Sequence, residues 1–137
     1  GTSKIKLVSD SKIKQIVLCS GKVYYDLLEK RDKLNLKNTY ILRIEQIYPV
    51  PIQALTKELS RFKNAALIWC QEEPKNQGAW SFMEPNIEQI LNNLSIKAKR
   101  AKYVGRPASA SPATGLASQH KEQQDKLIFE ALNLEGK

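Results

Sequence analysis

The sequence predicts an α/β fold, a three-layer open sheet that is mostly parallel. Short apolar runs with the length of buried strands alternate with longer stretches in which apolar residues recur at helical spacing. Helices between consecutive strands favour parallel pairing with right-handed crossovers, so the helices are expected to cover the sheet. With 137 residues the chain can bury its own core, and residues 1–137 are expected to form one domain.

Four strands and four helices follow from this alternation. The strands are short apolar runs that end in polar or glycine-containing turns: residues 15–20, 39–47, 65–70 and 99–104. The helices are the stretches with apolar residues three or four apart: residues 23–34, 51–62, 77–94 and 116–132. The first three residues, Gly1-Thr2-Ser3, are expected to be a cloning remnant.

Glycine and proline bound the first two strand–helix units. The run QIVLCS ends at Gly21, and the helical spacing begins at Val23. The second strand, TYILRIEQI, is interrupted by Pro49-Val50-Pro51, and Pro51 suits the first position of the following helix. Residues 4–8 are compatible with a short additional strand.

The third and fourth units show the same order. The apolar run AALIWC is the third strand, and the helix after it contains Pro85, which either distorts that helix or divides it into two. The basic segment at residues 97–102 alternates with alanine and is typical of an edge strand that lysine protects from pairing with other sheets. Residues 105–115 form a loop rich in Pro, Ser, Ala and Gly.

Composition excludes several classes of protein. The net charge of +8 comes from 22 Lys and Arg against 14 Asp and Glu, but the basic residues are scattered and are not interleaved with aromatic residues, so nucleic acid is not an expected partner. No apolar run approaches the roughly 20 residues that cross a bilayer, so a membrane is not expected either. Cys19 and Cys70 each lie inside an apolar run, which is typical of buried thiols in a reducing compartment.

The segment WCQEEPKNQGAW, residues 69–80, leads from a buried strand through a polar turn into a helix. Open α/β sheets place their functional sites beyond the carboxyl ends of their strands. One interpretation is a solvated turn. The other is an interface, because aromatic residues are favoured at interface cores, and part of the segment is then unusually exposed in this chain. The candidate contacts to another domain or subunit are Glu72, Glu73, Asn76, Gln77 and Trp80.

Two further strand ends carry polar residues. The turn Cys19-Ser20-Gly21-Lys22 starts a helix whose N–H groups could receive an anion, but it lacks the glycine spacing of a Walker motif, which favours a plain turn. Arg43 and Glu45 alternate near the end of the second strand, where they would pair with each other or contact a neighbouring domain.

The loop GRPASASPATG combines the guanidinium of Arg106 with the hydroxyls of Ser109 and Ser111. Arginine suits phosphate or carboxylate, so an anion or nucleotide is one candidate ligand. The alternative is that Arg106 anchors the loop to the protein's own carboxylates or carbonyls. His120 is the only histidine and is more typical of a packing residue than of a catalyst. The sequence therefore predicts no catalytic, cofactor-binding or metal-ligating residue.

Four segments, in order, resemble one known family: SGKVYYDL, RIEQIYPVP, WCQEEPKNQGAW and YVGRPASASPATG, followed by His120. They resemble the C-terminal domain of the thiamine-dependent decarboxylating component of the 2-oxoglutarate dehydrogenase complex, from about residue 17 to residue 132. More distantly, the chain is similar to the third domain of transketolases. That resemblance implies an open sheet with helices on both faces and one antiparallel edge strand.

The resemblance also implies a limited role for this chain. In such oxidoreductases of the tricarboxylic acid cycle, two preceding domains hold thiamine diphosphate and magnesium at the interface of a homodimer. The Gly-Asp-Gly motif with its paired asparagines is absent here, and so are the histidines that flank the cofactor. The complete enzyme decarboxylates 2-oxoglutarate and passes the succinyl group to the lipoyl-bearing succinyltransferase component, in the bacterial cytoplasm or the mitochondrial matrix. This domain is expected to be structural, to lie at the dimer interface, and to be inactive alone.

Effector binding is a further expectation from the same resemblance. Related actinobacterial enzymes use the C-terminal region to bind acetyl-CoA as an activator, so Arg106, Ser109 and Ser111 are candidates for binding acetyl-CoA or AMP. A free-standing module that binds a nucleotide or an anionic metabolite is the alternative, supported by the +8 charge and the Arg106 loop.

Overall fold

A computed structural model describes residues 5–45, 49–106 and 117–133, with side chains from residue 121 onward in the last range. A single 3-10 turn, Asp10–Lys12, precedes four strands and four helices. The strands are β1 (Gln15–Cys19), β2 (Thr39–Arg43), β3 (Ala66–Pro74) and β4 (Ala101–Arg106). The helices are α1 (Val23–Lys33), α2 (Ile52–Leu59), α3 (Trp80–Asn92) and α4 (Ala117–Ala131).

The four strands form one sheet in the order β2-β1-β3-β4, and all three pairings are parallel. Every residue of β1 is buried, because this strand lies between β2 and β3 and is covered on both faces. Two separate apolar clusters lie against the sheet. One contains the buried residues of α2 and α3, and the other contains those of α1 and α4. The predicted three-layer α/β architecture is confirmed.

The antiparallel edge strand that the resemblance implied is not among the described strands. Residues 5–8, which were compatible with an extra strand, contain no described strand, although the Val8 N–H donates to the carbonyl of Lys37 at 3.0 Å. These residues therefore lie along the chain near the start of β2 without joining the sheet.

Several predicted boundaries were wrong. Strand β4 is Ala101–Arg106 rather than residues 99–104, and helix α2 ends at Leu59 rather than at residue 62. Strand β2 ends at Arg43 rather than at residue 47. Strand β3 continues to Pro74, beyond the predicted end at Cys70, because its pairing with β4 resumes after an irregularity and places Pro74 opposite Arg106. Helix α3 begins at Trp80 rather than at residue 77, since Gly78 has φ +68°, outside the helical region. Pro85 lies inside this one continuous helix.

The strand order places the switch point of the sheet between β1 and β3. The chain leaves β1 toward β2 on one side, whereas it leaves β3 toward β4 on the other side. Connections that diverge from two adjacent strands leave a gap outside their carboxyl ends, which is where open α/β sheets bind ligands or partners. The polar segments after β1 and at the end of β3 lie at this edge.

Candidate functional site at the carboxyl edge

The centre of this edge is the side-chain amide of Gln71, which is 1% exposed. Its Oε1 accepts hydrogen bonds from the Trp69 indole Nε1–H at 2.9 Å and from the Trp80 backbone N–H at 3.1 Å. Its Nε2 donates toward three backbone carbonyls at 2.9–3.1 Å: those of Glu73, Pro74 and Gln77. One buried amide therefore ties the end of β3 to the start of α3 and fixes the turn between them. We call residues 73–78 the β3 turn.

The exposure expected for part of this segment does not extend to its two tryptophans. Trp69 is 0% exposed and Trp80 is 5% exposed, and both belong to the cluster beneath α2 and α3. The Trp80 ring packs against Tyr103, with ring centroids 5.4 Å apart. Strand β3 continues past Cys70, so Glu72 and Glu73 reach the surface while the two tryptophan rings lie inside. Trp80 therefore stabilises this chain's own core and presents no free surface.

The polar residues of the segment remain accessible at its surface. Glu73, Asn76 and Gln77 are exposed and Glu72 is half-buried. The Gln77 backbone N–H donates to the Pro74 carbonyl at 2.8 Å, which closes a tight turn beneath these side chains. The surface of this turn is thus polar and is supported from below by backbone hydrogen bonds.

Two glycines are required for this geometry. Gly78 has φ +68°, and a Cβ there would lie 3.1 Å from Oε1 of Glu73 and 3.2 Å from Nε2 of Gln71. A Cβ on Gly105 would lie 2.6 Å from the Tyr103 hydroxyl and 2.7 Å from the Gln71 carbonyl oxygen. A larger residue at position 105 would force β4 or the β3 turn to shift, and one at position 78 would be strained by the positive φ and would crowd the side chains of Glu73 and Gln71.

Tyr103 connects the β3 turn to the end of β4. Its hydroxyl donates to the Arg106 carbonyl at 2.6 Å, and the Lys75 N–H donates to the same carbonyl at 3.0 Å. The Lys75 ammonium lies 5.5 Å from the centroid of the Tyr103 ring. Burial is the main cause that raises the pKa of Tyr103 to about 12, so the phenol remains a neutral donor in the physiological range.

Arg106 and Arg43 occupy opposite ends of this edge. Arg106 is half-buried at the end of β4, and its backbone is held by the β3 turn. Arg43 is half-buried at the end of β2, two strands beyond β3. Three interstrand spacings separate β2 from β4, roughly 14 Å. The strand order therefore does not bring the two arginines together.

Arg43 binds to helix α1 rather than to Glu45. Its Nη1 donates to the Tyr25 hydroxyl at 3.0 Å, and its guanidinium carbon lies 5.3 Å and 5.7 Å from the ring centroids of Tyr25 and Tyr24. Glu45 is exposed just beyond the strand. Of the two alternatives, pairing of Arg43 with Glu45 is not found, because the tyrosines of α1 offer the guanidinium two ring faces and a hydroxyl. Contact of Arg43 with a neighbouring domain stays a prediction.

The turn after β1 is a plain strand-to-helix connection. Gly21 has φ +80°, and Lys22 caps α1 without a side-chain hydrogen bond. Burial raises the pKa of the Cys19 thiol to about 12, against the opposing effect of Arg43, and burial also raises the pKa of Cys70. Both thiols are therefore protonated and unreactive at neutral pH.

Some predicted site residues lie outside the described part of the chain. Ser109 and Ser111, the candidate anion ligands, fall in residues 107–116, and the side chain of His120 is likewise outside it. Sequence reasoning missed Gln71, Tyr103 and Gly105. The signal for Gln71 was its position two residues after Trp69. In a strand, residues two apart lie on the same face, so a strand that continues past Cys70 places the Gln71 side chain on the same buried face as Trp69.

The described residues contain neither a cluster of metal-ligating side chains nor a membrane-spanning helix. No three or more His, Cys, Asp or Glu side chains in residues 5–45, 49–106 and 117–133 are grouped so that they could hold a metal ion. Across the same ranges, no helix has the length and apolar character needed to span a bilayer.

Comparison with known proteins places these features in a family. Residues 2–132 match the sequence model of the 2-oxoglutarate dehydrogenase C-terminal family. The chain is 56% identical over 128 residues to the proteins named 2-oxoglutarate dehydrogenase E1 component from Brucella anthropi, Brucella ovis and Brucella melitensis. The alignment covers 93% of this chain but 13% of each relative, so the chain spans a small part of the relatives that it matches. This chain belongs to the 2-oxoglutarate dehydrogenase C-terminal family.

Proposed function

We propose that this chain is the C-terminal domain of a 2-oxoglutarate dehydrogenase first component, and that it supports assembly rather than chemistry. The observation that carries the proposal is the match over 93% of the chain to only 13% of relatives that bear this enzyme's name. The complete protein would oxidatively decarboxylate 2-oxoglutarate and transfer the succinyl group to the lipoyl-bearing succinyltransferase component. Its location would be the bacterial cytoplasm or the mitochondrial matrix.

Thiamine diphosphate and magnesium are assigned to the rest of the complete protein. The family resemblance places the motif that holds them, a Gly-Asp-Gly followed by paired asparagines, in the preceding domains, and this sequence lacks it. The buried thiols also supply no nucleophile, since burial keeps both protonated.

The carboxyl edge supports a role in positioning other parts of the enzyme. Gln71 anchors the β3 turn to the core with five hydrogen bonds, so Glu73, Asn76 and Gln77 are presented on a rigid support. Rigid surfaces lose little conformational entropy when a partner binds. We infer that this polar turn contacts another domain or the second subunit of a homodimer.

The test uses a double variant of the complete protein, Glu73→Lys with Asn76→Lys. The first change reverses the charge of an exposed turn residue, and the second adds a positive charge beside it. The dimer dissociation constant should rise by at least about tenfold, since altered charge at a contact costs affinity. Sedimentation at graded protein concentrations measures the dissociation constant. The matched control is Glu122→Lys with Gln123→Lys, which makes the same change in net charge at exposed positions of α4. A turn variant that dimerises like the wild type contradicts contact of this turn with the second subunit but not membership of the family.

Effector binding at Arg106 is a second, separate proposal. Arg106 ends β4 beside the β3 turn, and its guanidinium suits a phosphate. Titration of acetyl-CoA or AMP, followed by amide chemical shifts, should perturb the end of β4 in the wild type and not in Arg106→Ala. Shifts that are absent at millimolar ligand, or unchanged in the variant, leave Arg106 as a structural anchor. A free-standing anion-binding module is disfavoured, because the matched relatives are far longer than this chain.

A further inference from the structure

The opposite, amino end of the sheet carries a basic hollow that the proposed function does not use. A depression of about 420 Å³ lies where β3 and β4 begin. Its floor is aliphatic, formed by Ala65, Leu67, Ala98 and Ala101, and its rim carries Lys97, Arg100 and Lys102. We call this depression and its rim the β4 hollow.

The cations of the rim are poorly neutralised by the protein itself. Lys97, Arg100 and Lys102 are all exposed. Arg100 has one contact with a carboxylate, Glu88, at 3.8 Å with both side chains in solvent. Lys97 and Lys102 form no salt bridge with any described carboxylate. Positive charge is therefore concentrated here, where it attracts anionic groups at a distance.

The hollow lies beside an unpaired strand edge. β4 pairs with β3 on one side only, and no described strand pairs with its other side. In a parallel pair, alternate residues direct both N–H and C=O to the same neighbour, so every second residue of β4 directs these groups outward. An edge of this kind accepts an additional extended segment through backbone hydrogen bonds.

Charge decides which extended segment can bind. A second copy of residues 97–102 would bring the same two lysines and arginine against this rim, so pairing of two such edges is repelled. A segment that carries carboxylates is attracted by the same side chains. The aliphatic floor contains no aromatic ring on which a nucleic-acid base could stack. An aliphatic side chain of a peptide, by contrast, would fill it.

We propose that the β4 hollow docks an acidic, extended segment of a partner protein in which carboxylates alternate with aliphatic residues. The carboxylates contact Lys97, Arg100 and Lys102, and an aliphatic side chain occupies the hollow over Leu67 and Ala101. The backbone of the segment pairs with the outer edge of β4. This surface lies at the end of the sheet opposite to the β3 turn, so the docking is independent of the proposed function.

The probe is a fluorescein-labelled ten-residue peptide that alternates Glu and Val, titrated with the 137-residue chain and followed by anisotropy. Binding should weaken as salt rises, because exposed charges are screened. The amide signals of residues 97–103 should shift. The same peptide with N-methylated backbone amides should bind at least about fivefold more weakly, since it cannot complete the hydrogen bonds to a strand edge.

Charge reversal distinguishes the hollow from general attraction to a basic protein. The triple variant Lys97→Glu, Arg100→Glu and Lys102→Glu should raise the Kd by at least about tenfold. A matched triple, Lys22→Glu, Lys37→Glu and Lys121→Glu, changes the net charge equally at exposed positions elsewhere and should raise it by less than about threefold. Circular dichroism checks the fold of both triples. Should the first triple fail to fold, a peptide with Gln in place of Glu tests the charge requirement on the wild type.

Three results would overturn the proposal. The first is no binding of the Glu-Val peptide at millimolar chain. The second is an equal loss of binding in both triple variants. The third is tighter binding of polyglutamate or of a single-stranded DNA of equal charge, which would indicate a surface that recognises charge alone or nucleic acid.

Discussion

At the scale of single residues, Gln71 determines the geometry of the carboxyl edge. A buried amide is stabilising only when its donors and acceptors find partners, and Gln71 satisfies both ends within one turn. Tyr103 and Gly105 complete the arrangement, because the phenol holds the end of β4 and the glycine lets β4 approach the Gln71 backbone. These three residues therefore fix the position of the exposed side chains of the β3 turn, although they are not themselves exposed.

Replacement of Gln71 tests the network directly. Gln71→Met keeps the side-chain volume but leaves the Trp69 indole N–H and the Trp80 backbone N–H without their partner. Each unsatisfied buried group costs about 1–3 kcal/mol, so we expect a loss of about 3 kcal/mol in the free energy of unfolding. Urea denaturation measures it. Gln77→Met, on an exposed side chain of the same turn, should change stability by less than about 0.5 kcal/mol.

Gly105→Ala tests the close approach of β4 to the β3 turn. The added Cβ would meet the Tyr103 hydroxyl at 2.6 Å and the Gln71 carbonyl oxygen at 2.7 Å, so the strand must shift. We expect a loss of about 1–3 kcal/mol from overpacking, measured by urea denaturation. Tyr103→Phe removes the nearest of the three atoms that the Cβ would meet within 3.0 Å but keeps the ring carbon at 2.9 Å, so the double variant should lose less than the sum of the single losses. A fully additive result would show that the hydroxyl does not crowd Gly105.

At the scale of elements, periodicity and apolar runs predicted every strand and helix that the structure describes. They could not predict where β3 ends, because Gln71, Glu72 and Glu73 look like a solvated turn unless β4 is known to pair beside them. The burial of Trp80 was missed for the same reason, since it depends on contacts with Tyr103 from a distant strand. The position of Arg43 near the end of the second strand was predicted. Its tyrosine partners were not, because they lie in α1, far from Arg43 in the sequence.

Helix α3 carries an internal defect that can be removed. Pro85 lies inside the helix on an exposed position and lacks the N–H that would donate to the carbonyl four residues earlier. Pro85→Ala should stabilise the chain by about 1–3 kcal/mol, because proline is disfavoured by about 3 kcal/mol in a helix interior. Thermal unfolding measures the gain. A lower melting temperature would instead show that the packing of α3 depends on its proline-induced geometry.

The buried thiols of the two central strands predict that the stability of the chain falls at alkaline pH. Cys19 and Cys70 are opposite each other in β1 and β3, and burial raises the pKa of Cys19 from 9.0 to about 12. A thiol is neutral when protonated, so the folded chain holds this proton more tightly than the unfolded chain. The resulting stabilisation is complete below pH 9 and is lost as the pH rises toward 12.

The measurement is the free energy of unfolding at a series of pH values above 8. It should decrease with rising pH in the wild type and decrease less steeply in Cys19→Ala with Cys70→Ala. The slope is compared rather than the absolute stability, because the alanines also remove buried volume. Equal slopes in both proteins would contradict the assignment of raised thiol pKa values to burial.

At the scale of the whole molecule, the sheet separates two surfaces with different chemistry. The carboxyl edge presents a polar turn on a rigid support, whereas the amino end presents basic side chains around an aliphatic hollow. Both surfaces are candidates for contact with larger neighbours, and the chain itself belongs to the 2-oxoglutarate dehydrogenase C-terminal family.

The most direct test of this account is an assay of the purified 137-residue chain for oxidation of 2-oxoglutarate. The reaction contains thiamine diphosphate, magnesium and an artificial electron acceptor, so that no other component of the complex is needed. The complete protein serves as the positive control under the same conditions. We predict turnover by the complete protein and none above background by the chain. Turnover by the chain alone would contradict the assignment of this domain to assembly rather than chemistry.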